Sequence, residues 1–142
     1  MAERPGAARE RFPKASHLLK HADFERVYQR GRRHFSASLT LFWVRREAGP
    51  GRGARIGFTV SKAMGGSVVR NRMRRRMREA VRRNLAVLRS PLDVVINPRK
   101  LVLETGFEKL RLEVRAVFQA VEAKAAGSSA EGTQSQEGRK SQ

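Results

Sequence analysis

The sequence predicts an α+β domain of order α-β-β-α-β-α, and three observations carry that prediction. Apolar alternation, as in "SASLTLFWVRR" at residues 36–46, gives way elsewhere to apolar spacing of three and four, as in "GFEKLRLEVRAVFQAVEAK" at residues 106–124. Glycine clusters mark the changes of period. The length of 142 residues suits one domain with a modest core.

The elements follow in order. Residues 1–14 mix Pro, Gly, Ala and charge without periodicity, and read as a flexible N-terminal tail. "HADFERVYQRG" places Phe24, Val27 and Tyr28 at i, i+3 and i+4 and stops at Gly31, as a short helix with a glycine exit does. The alternating strand sets Leu39, Leu41 and Trp43 on one face and Thr40, Phe42 and Val44 on the other. "EAGPGRGA" then reads as a hairpin loop leading to a return strand, "RIGFTVSK". That strand has one bulky face, Ile56, Phe58 and Val60, and one small face, Gly57, Thr59 and Ser61.

After the turn "AMGGS", the residues Val69, Met73, Met77, Ala80, Val81, Leu85 and Leu88 form the apolar stripe of a long amphipathic helix. "PLDVVINPRK" supplies a short buried strand that Pro98 should end, because proline has no N–H to donate. A last helix turns Phe107, Leu110, Val114, Val117, Phe118 and Val121 inward. Residues 125–142 are assigned to a disordered C-terminal tail, which leaves residues 15–124 as the folded domain.

The charge narrows the function. Lys and Arg number 31 against 13 Asp and Glu, a formal net charge of +18, so the chain repels itself until a polyanion neutralises it. With no cysteine there is neither a disulfide framework nor a thiolate metal site. No apolar run approaches the ~20 residues of a membrane span, and the N-terminus lacks the apolar segment of a secretory signal. The sequence reads as cytoplasmic, with no membrane partner.

The charge is densest in "VVRNRMRRRMREAVRRN", residues 68–84. Eight arginines, Arg70, Arg72, Arg74, Arg75, Arg76, Arg78, Arg82 and Arg83, face one acid, Glu79. Arg70, Arg74, Arg78 and Arg82 stack four apart, and like charges at that spacing cost roughly 0.2–0.5 kcal/mol a pair. Arg70 and Arg72 also lie at the positive end of the helix dipole, where a cation costs about 0.3–1 kcal/mol. A solvated charged face would place acids there. Nucleic-acid phosphate favours the arrangement found, and arginine meets phosphate with paired hydrogen bonds.

RNA is preferred to DNA, because no companion recognition helix, zinc ligand set or leucine heptad is present. Phe24 and Tyr28 of the first helix and Phe42 of the strand can line a shallow aromatic groove for unstacked bases. Equally, Phe24 and Tyr28 can simply anchor that helix to the sheet. His17 and His21 lie i, i+4 with Asp23 nearby, but lack a third firm ligand for a metal. All three histidines precede the first strand, so no Ser/His/Asp set is legible either.

"RIGFTVSKAMGGSVVRNRMRRRMREAVR", residues 55–82, resembles the signature of the bacterial ribonuclease P protein component: a strand ending Ser-Lys, a glycine turn, and a helix opening Arg-Asn-Arg. "DFERVYQRGRR", residues 23–33, is similar to that family's first helix. The resemblance implies the accessory subunit of a ribonucleoprotein endoribonuclease that removes the 5′ leader of precursor tRNA. Catalysis would belong to the RNA and its magnesium, with no catalytic residue and no cofactor or metal held by the protein alone.

Its partners would be the catalytic RNA and precursor tRNA, with no protein partner required. By the same resemblance Lys62, Arg70, Asn71, Arg72, Arg74, Arg75 and Arg78 bind RNA. Phe24, Tyr28, Phe42 and Thr59 form the leader-binding cleft, which decides between the two readings of the aromatic residues. It implies a mixed sheet with a left-handed β-α-β crossover as well. Ala63 stands where the family often has a second lysine, and Gly66-Ser67 where an Asn and a small residue are usual. The alternative function is a non-catalytic basic RNA-binding module associated with the ribosome.

Overall fold

A computed structural model describes residues 20–46 and 53–130. Among these residues, three α-helices and a four-stranded mixed sheet occur in the order α1 (His21–Arg30), β1 (Arg32–Phe35), β2 (Leu39–Arg45), β3 (Arg55–Phe58), α2 (Ser67–Arg82), β4 (Leu92–Pro98) and α3 (Phe107–Ala130). The predicted α+β class holds. One strand, β1, was not predicted: "RRHF" is too short and too charged to show alternation.

The sheet order is β1-β2-β4-β3. β4 therefore separates β2 from β3, and the hairpin expected across "EAGPGRGA" does not form; most of that stretch lies outside the described residues. β2 pairs antiparallel with β1 and β4, whereas β3 pairs parallel with β4 through the α2 crossover. The reason is burial. "LDVVIN" is buried at nearly every position, and the centre of a sheet covered on both faces is where such a strand belongs. Pro98 closes β4 opposite Leu39, where the pairing was expected to stop.

Each face of the sheet has its own core. On one, Leu39, Leu41, Trp43, Ile56, Val94 and Ile96 meet Met73, Met77 and Val81 of α2 and Leu110, Val114 and Phe118 of α3. A fully buried side chain of this size contributes about 1.5–3 kcal/mol, which lets α2 carry its unfavourable charge. The other face is thinner: Val27 of α1 and Val95 pack with Phe24, Phe42 and Val44. α2 stops at Arg82, and Leu85–Val87 continues as a 3-10 turn.

Two details depart from expectation. Gly31 ends α1 with a φ of −79°, so left-handed backbone is not the reason for glycine there. Space is: an added Cβ would lie 2.3 Å from the Val27 carbonyl oxygen and 2.9 Å from that of Trp43. α3 also continues through Ala130, past the boundary placed at residue 124; Ala125 is buried, and its carbonyl accepts from Arg45 Nη1 at 3.0 Å. Residues 1–14 and 131–142, the remainder of the two assigned tails, lie outside the described residues.

Candidate nucleic-acid interface

The end of β3 joins two surfaces. Phe58 faces α2, where the Arg78 guanidinium lies 5.4 Å from its ring centroid, and the next residue, Thr59, faces α1. The chain then turns through Ser61, whose hydroxyl accepts from the Ala63 N–H at 3.0 Å, and Gly65, at φ 144°. Only glycine adopts that backbone readily. Lys62 is exposed on this turn.

α2 begins at once, with Gly66 as its N-cap, no side-chain cap and no acid in its first turn. Its free N–H groups and dipole present a positive end. Arg70 turns back to donate from Nε to the Gly65 carbonyl at 3.0 Å, and Arg74 donates to the Asn71 side chain at 2.9 Å. Asn71, Arg72, Arg75 and Arg78 are exposed, and Arg70 and Arg74 half-buried. The seven residues expected to meet RNA thus occupy the turn and the first three turns of one helix.

The rest of the arginine run divides differently. Arg76 donates from Nε to the Val102 carbonyl at 2.9 Å and from Nη2 to that of Thr105, which ties α2 to the 3-10 turn Lys100–Leu103. Arg82 and Arg83 both bond Glu79, from their Nε atoms at 3.1 and 2.9 Å. The Arg82 bond, then that of Arg83, holds the Glu79 carboxyl below its ordinary pKa. The one acid of the segment therefore serves its C-terminal end.

On the opposite face the four cleft residues come together. The Tyr28 and Phe42 rings meet edge to face at 4.9 Å, and the Tyr28 hydroxyl is 2.9 Å from Thr59 Oγ1. Phe24 is half-buried against Val27 and Val95. Tyr28 is 41% exposed, so its ring remains available. Asn97, absent from the expected site, donates from Nδ2 to the Tyr28 hydroxyl at 3.1 Å and to the Thr59 carbonyl at 3.1 Å.

Asp93 was also missed. Its side chain is fully buried and takes hydrogen bonds from Arg55 Nε at 2.8 Å, Arg55 Nη2 at 2.9 Å, Arg46 Nη1 at 3.1 Å and Arg26 Nη2. Arg26 also reaches Asp23 at 3.1 Å, so this network clamps α1 onto the sheet beside the cleft. The pairing with Asp93 raises the Arg55 pKa. The available signal was alternation: Asp93, Val95 and Asn97 share one face of β4.

Among the described residues no group of three or more His, Cys, Asp or Glu side chains is arranged to hold a metal ion. His21 is exposed and lies 3.4 Å from Glu25; His17 is outside the described residues. No helix among them is long and apolar enough to cross a membrane.

Residues 12–122 match the family model described as Ribonuclease P. The ribonuclease P protein component of Finegoldia magna is 33% identical over 97 residues, 68% of this chain and 82% of that protein. That of Chloroflexus aggregans is 40% identical over 104 residues, 71% of this chain and 73% of the relative. Among solved structures, the RNase P protein of Staphylococcus aureus superposes with a TM-score of 0.64 at 22% identity, covering 77% of this chain and 97% of that one. The RNase P protein of Thermotoga maritima also reaches 0.64, at 24% identity, over 73% of this chain and 96% of that one. These two establish the shared fold.

Proposed function

This chain belongs to the ribonuclease P protein family, and from that premise we propose how its two surfaces divide the work. It is the protein component of an endoribonuclease that matures the 5′ end of tRNA. The protein binds and positions; the bond-breaking chemistry belongs to the catalytic RNA and the magnesium ions which that RNA holds. Family membership decides against a ribosome-associated module.

Lys62 and the first three turns of α2 bind phosphate of the catalytic RNA and of precursor tRNA near the scissile bond. The helix N-terminus adds its own N–H groups to six guanidinium and amide side chains, and phosphate offers the dense negative charge that suits them. Tyr28, Phe42 and Thr59, with Phe24 behind them, receive the single-stranded 5′ leader. Aromatic faces accept any base, which suits leaders of varied sequence, and the Tyr28, Thr59 and Asn97 polar groups offer hydrogen bonds at the cleft floor.

The observation that supports this reading best is the adjacency of the surfaces. Thr59 in the cleft and Lys62 before α2 belong to one short run of chain, so a strand leaving the phosphate-binding helix enters the aromatic cleft directly.

The test is cleavage of precursor tRNA at low magnesium by the catalytic RNA, with and without this protein, using long and trimmed leaders. The protein should restore cleavage, and the gain should shrink as the leader is trimmed. Binding of the RNA with no change in rate or leader dependence would overturn the division of roles.

A further inference from the structure

The face of the sheet that floors the cleft continues past it onto the edge strand. β1 sets Arg33 opposite Phe42 and Phe35 opposite Thr40, and directly opposed residues share a face. β4 sets Asn97 opposite Thr40 in the same row, and Thr59 bonds Asn97 from the β3 side. One row thus crosses the whole sheet from Thr59 through Asn97 and Thr40 to Phe35, three strand spacings or roughly 14 Å.

Its far end is built like a stacking site. The Arg33 guanidinium lies 5.0 Å from the Phe35 centroid and 6.0 Å from that of Phe42, which itself meets Tyr28. Phe35 is 52% exposed, because α1 packs over β2 and β4 and leaves the edge strand open. An apolar ring at an open edge invites association, yet Arg32 and Arg33 beside it would repel a second copy of so basic a chain. An anionic strand with stackable bases meets both properties at once.

We infer that Arg33 and Phe35 form a second stacking subsite, which holds a nucleobase of the single-stranded leader upstream of those bound at Tyr28, Phe42 and Thr59. This rests on the leader lying in the cleft. The direction is set by the β3 end, where α2 begins: nucleotides at β1 lie farther from the cut, hence farther 5′. Phe35 supplies the ring face, and Arg33 bridges the two subsites while meeting phosphate or stacking on the base.

The experiment uses the holoenzyme assembled from this protein and the catalytic RNA, with precursor tRNAs whose leaders lengthen one nucleotide at a time. Affinity for wild type should rise in two steps. Phe35→Ala should erase the second, with a loss that grows with leader length to roughly 5- to 100-fold. Phe35→Trp should restore it, and long leaders alone should quench the added indole emission.

A Phe35→Ala loss that is equal at every length, or absent, overturns the subsite, as does a quench by short leaders. Tyr28→Ala, run in parallel, separates the two claims. If it abolishes leader dependence while Phe35→Ala leaves both steps intact, the subsite alone fails. If leader dependence survives Tyr28→Ala intact, the cleft reading fails and the subsite with it.

Discussion

At the residue scale, Asp93 shows how a single side chain organises the α1 side of the sheet. Three arginines from α1, the end of β2 and β3 converge on one fully buried carboxylate. Substitution Asp93→Ala should therefore cost up to about 3 kcal/mol, read as a lower urea midpoint, because Arg46 and the partly exposed Arg26 and Arg55 lose their common partner. Its partners lie 67, 47 and 38 residues away, so the chain alone offers no sign that they meet. His34 carries a second prediction. Burial, with the Lys124 charge, lowers its pKa below the ordinary 6.5, so the unfolded chain takes up the proton first. Its contribution is complete above 6.5 and is lost as pH falls through the lower folded value. A His34→Gln variant should show a flatter fall of melting temperature on mild acidification than wild type; parallel curves would contradict this.

At the element scale, α1 depends on the glycine that ends it. Gly31→Ala must push the Val27 and Trp43 carbonyls apart, which should lower the melting temperature and blunt leader dependence together, since α1 carries Tyr28. α2 behaves in the opposite sense. Arg72 lies one turn in, three and four residues before Arg75 and Arg76, so Arg72→Glu should raise the stability of the free protein by roughly 0.2–0.5 kcal/mol per pair while weakening RNA binding. A variant that lost stability and kept its affinity would contradict the charge argument. The helices were legible because apolar stripes have a period, and the cleft residues Phe24, Tyr28 and Phe42 because aromatic residues fell at those periods. Their proposed leader-binding role was not; residue pattern alone left anchor and groove equal until the family signature was weighed. β1 was illegible, since four residues with three cationic or titratable side chains carry no pattern, and its pairing with β2 defines it.

At the scale of the whole molecule, a net charge of +18 sets free folding against binding. Anions that occupy the α2 end should relieve part of that repulsion. Millimolar sulfate should raise the melting temperature more than chloride at equal ionic strength, and equal shifts would place the effect in general screening. RNA affinity should also fall steeply with salt, at about 0.7 logarithmic units per contact on single strands and 0.9 on duplex. Arg76, Arg82 and Arg83 should add little to that slope, because carbonyls and Glu79 already engage them.

The features that the sequence determined by itself were local and periodic: the α+β class, the faces of α2 and α3, the positive end of α2, and the residue types able to meet RNA. Each comes from spacing along one segment, where neighbours three, four or two positions apart must share a side. Tertiary structure decided the rest. It placed β4 between β2 and β3, gathered Asp93 with its arginines, assigned Arg76 to the fold, and set Arg33 and Phe35 beside Phe42. Those outcomes depend on which buried strand takes the centre of the sheet, and that choice is made by burial across the whole core rather than by any one stretch of chain.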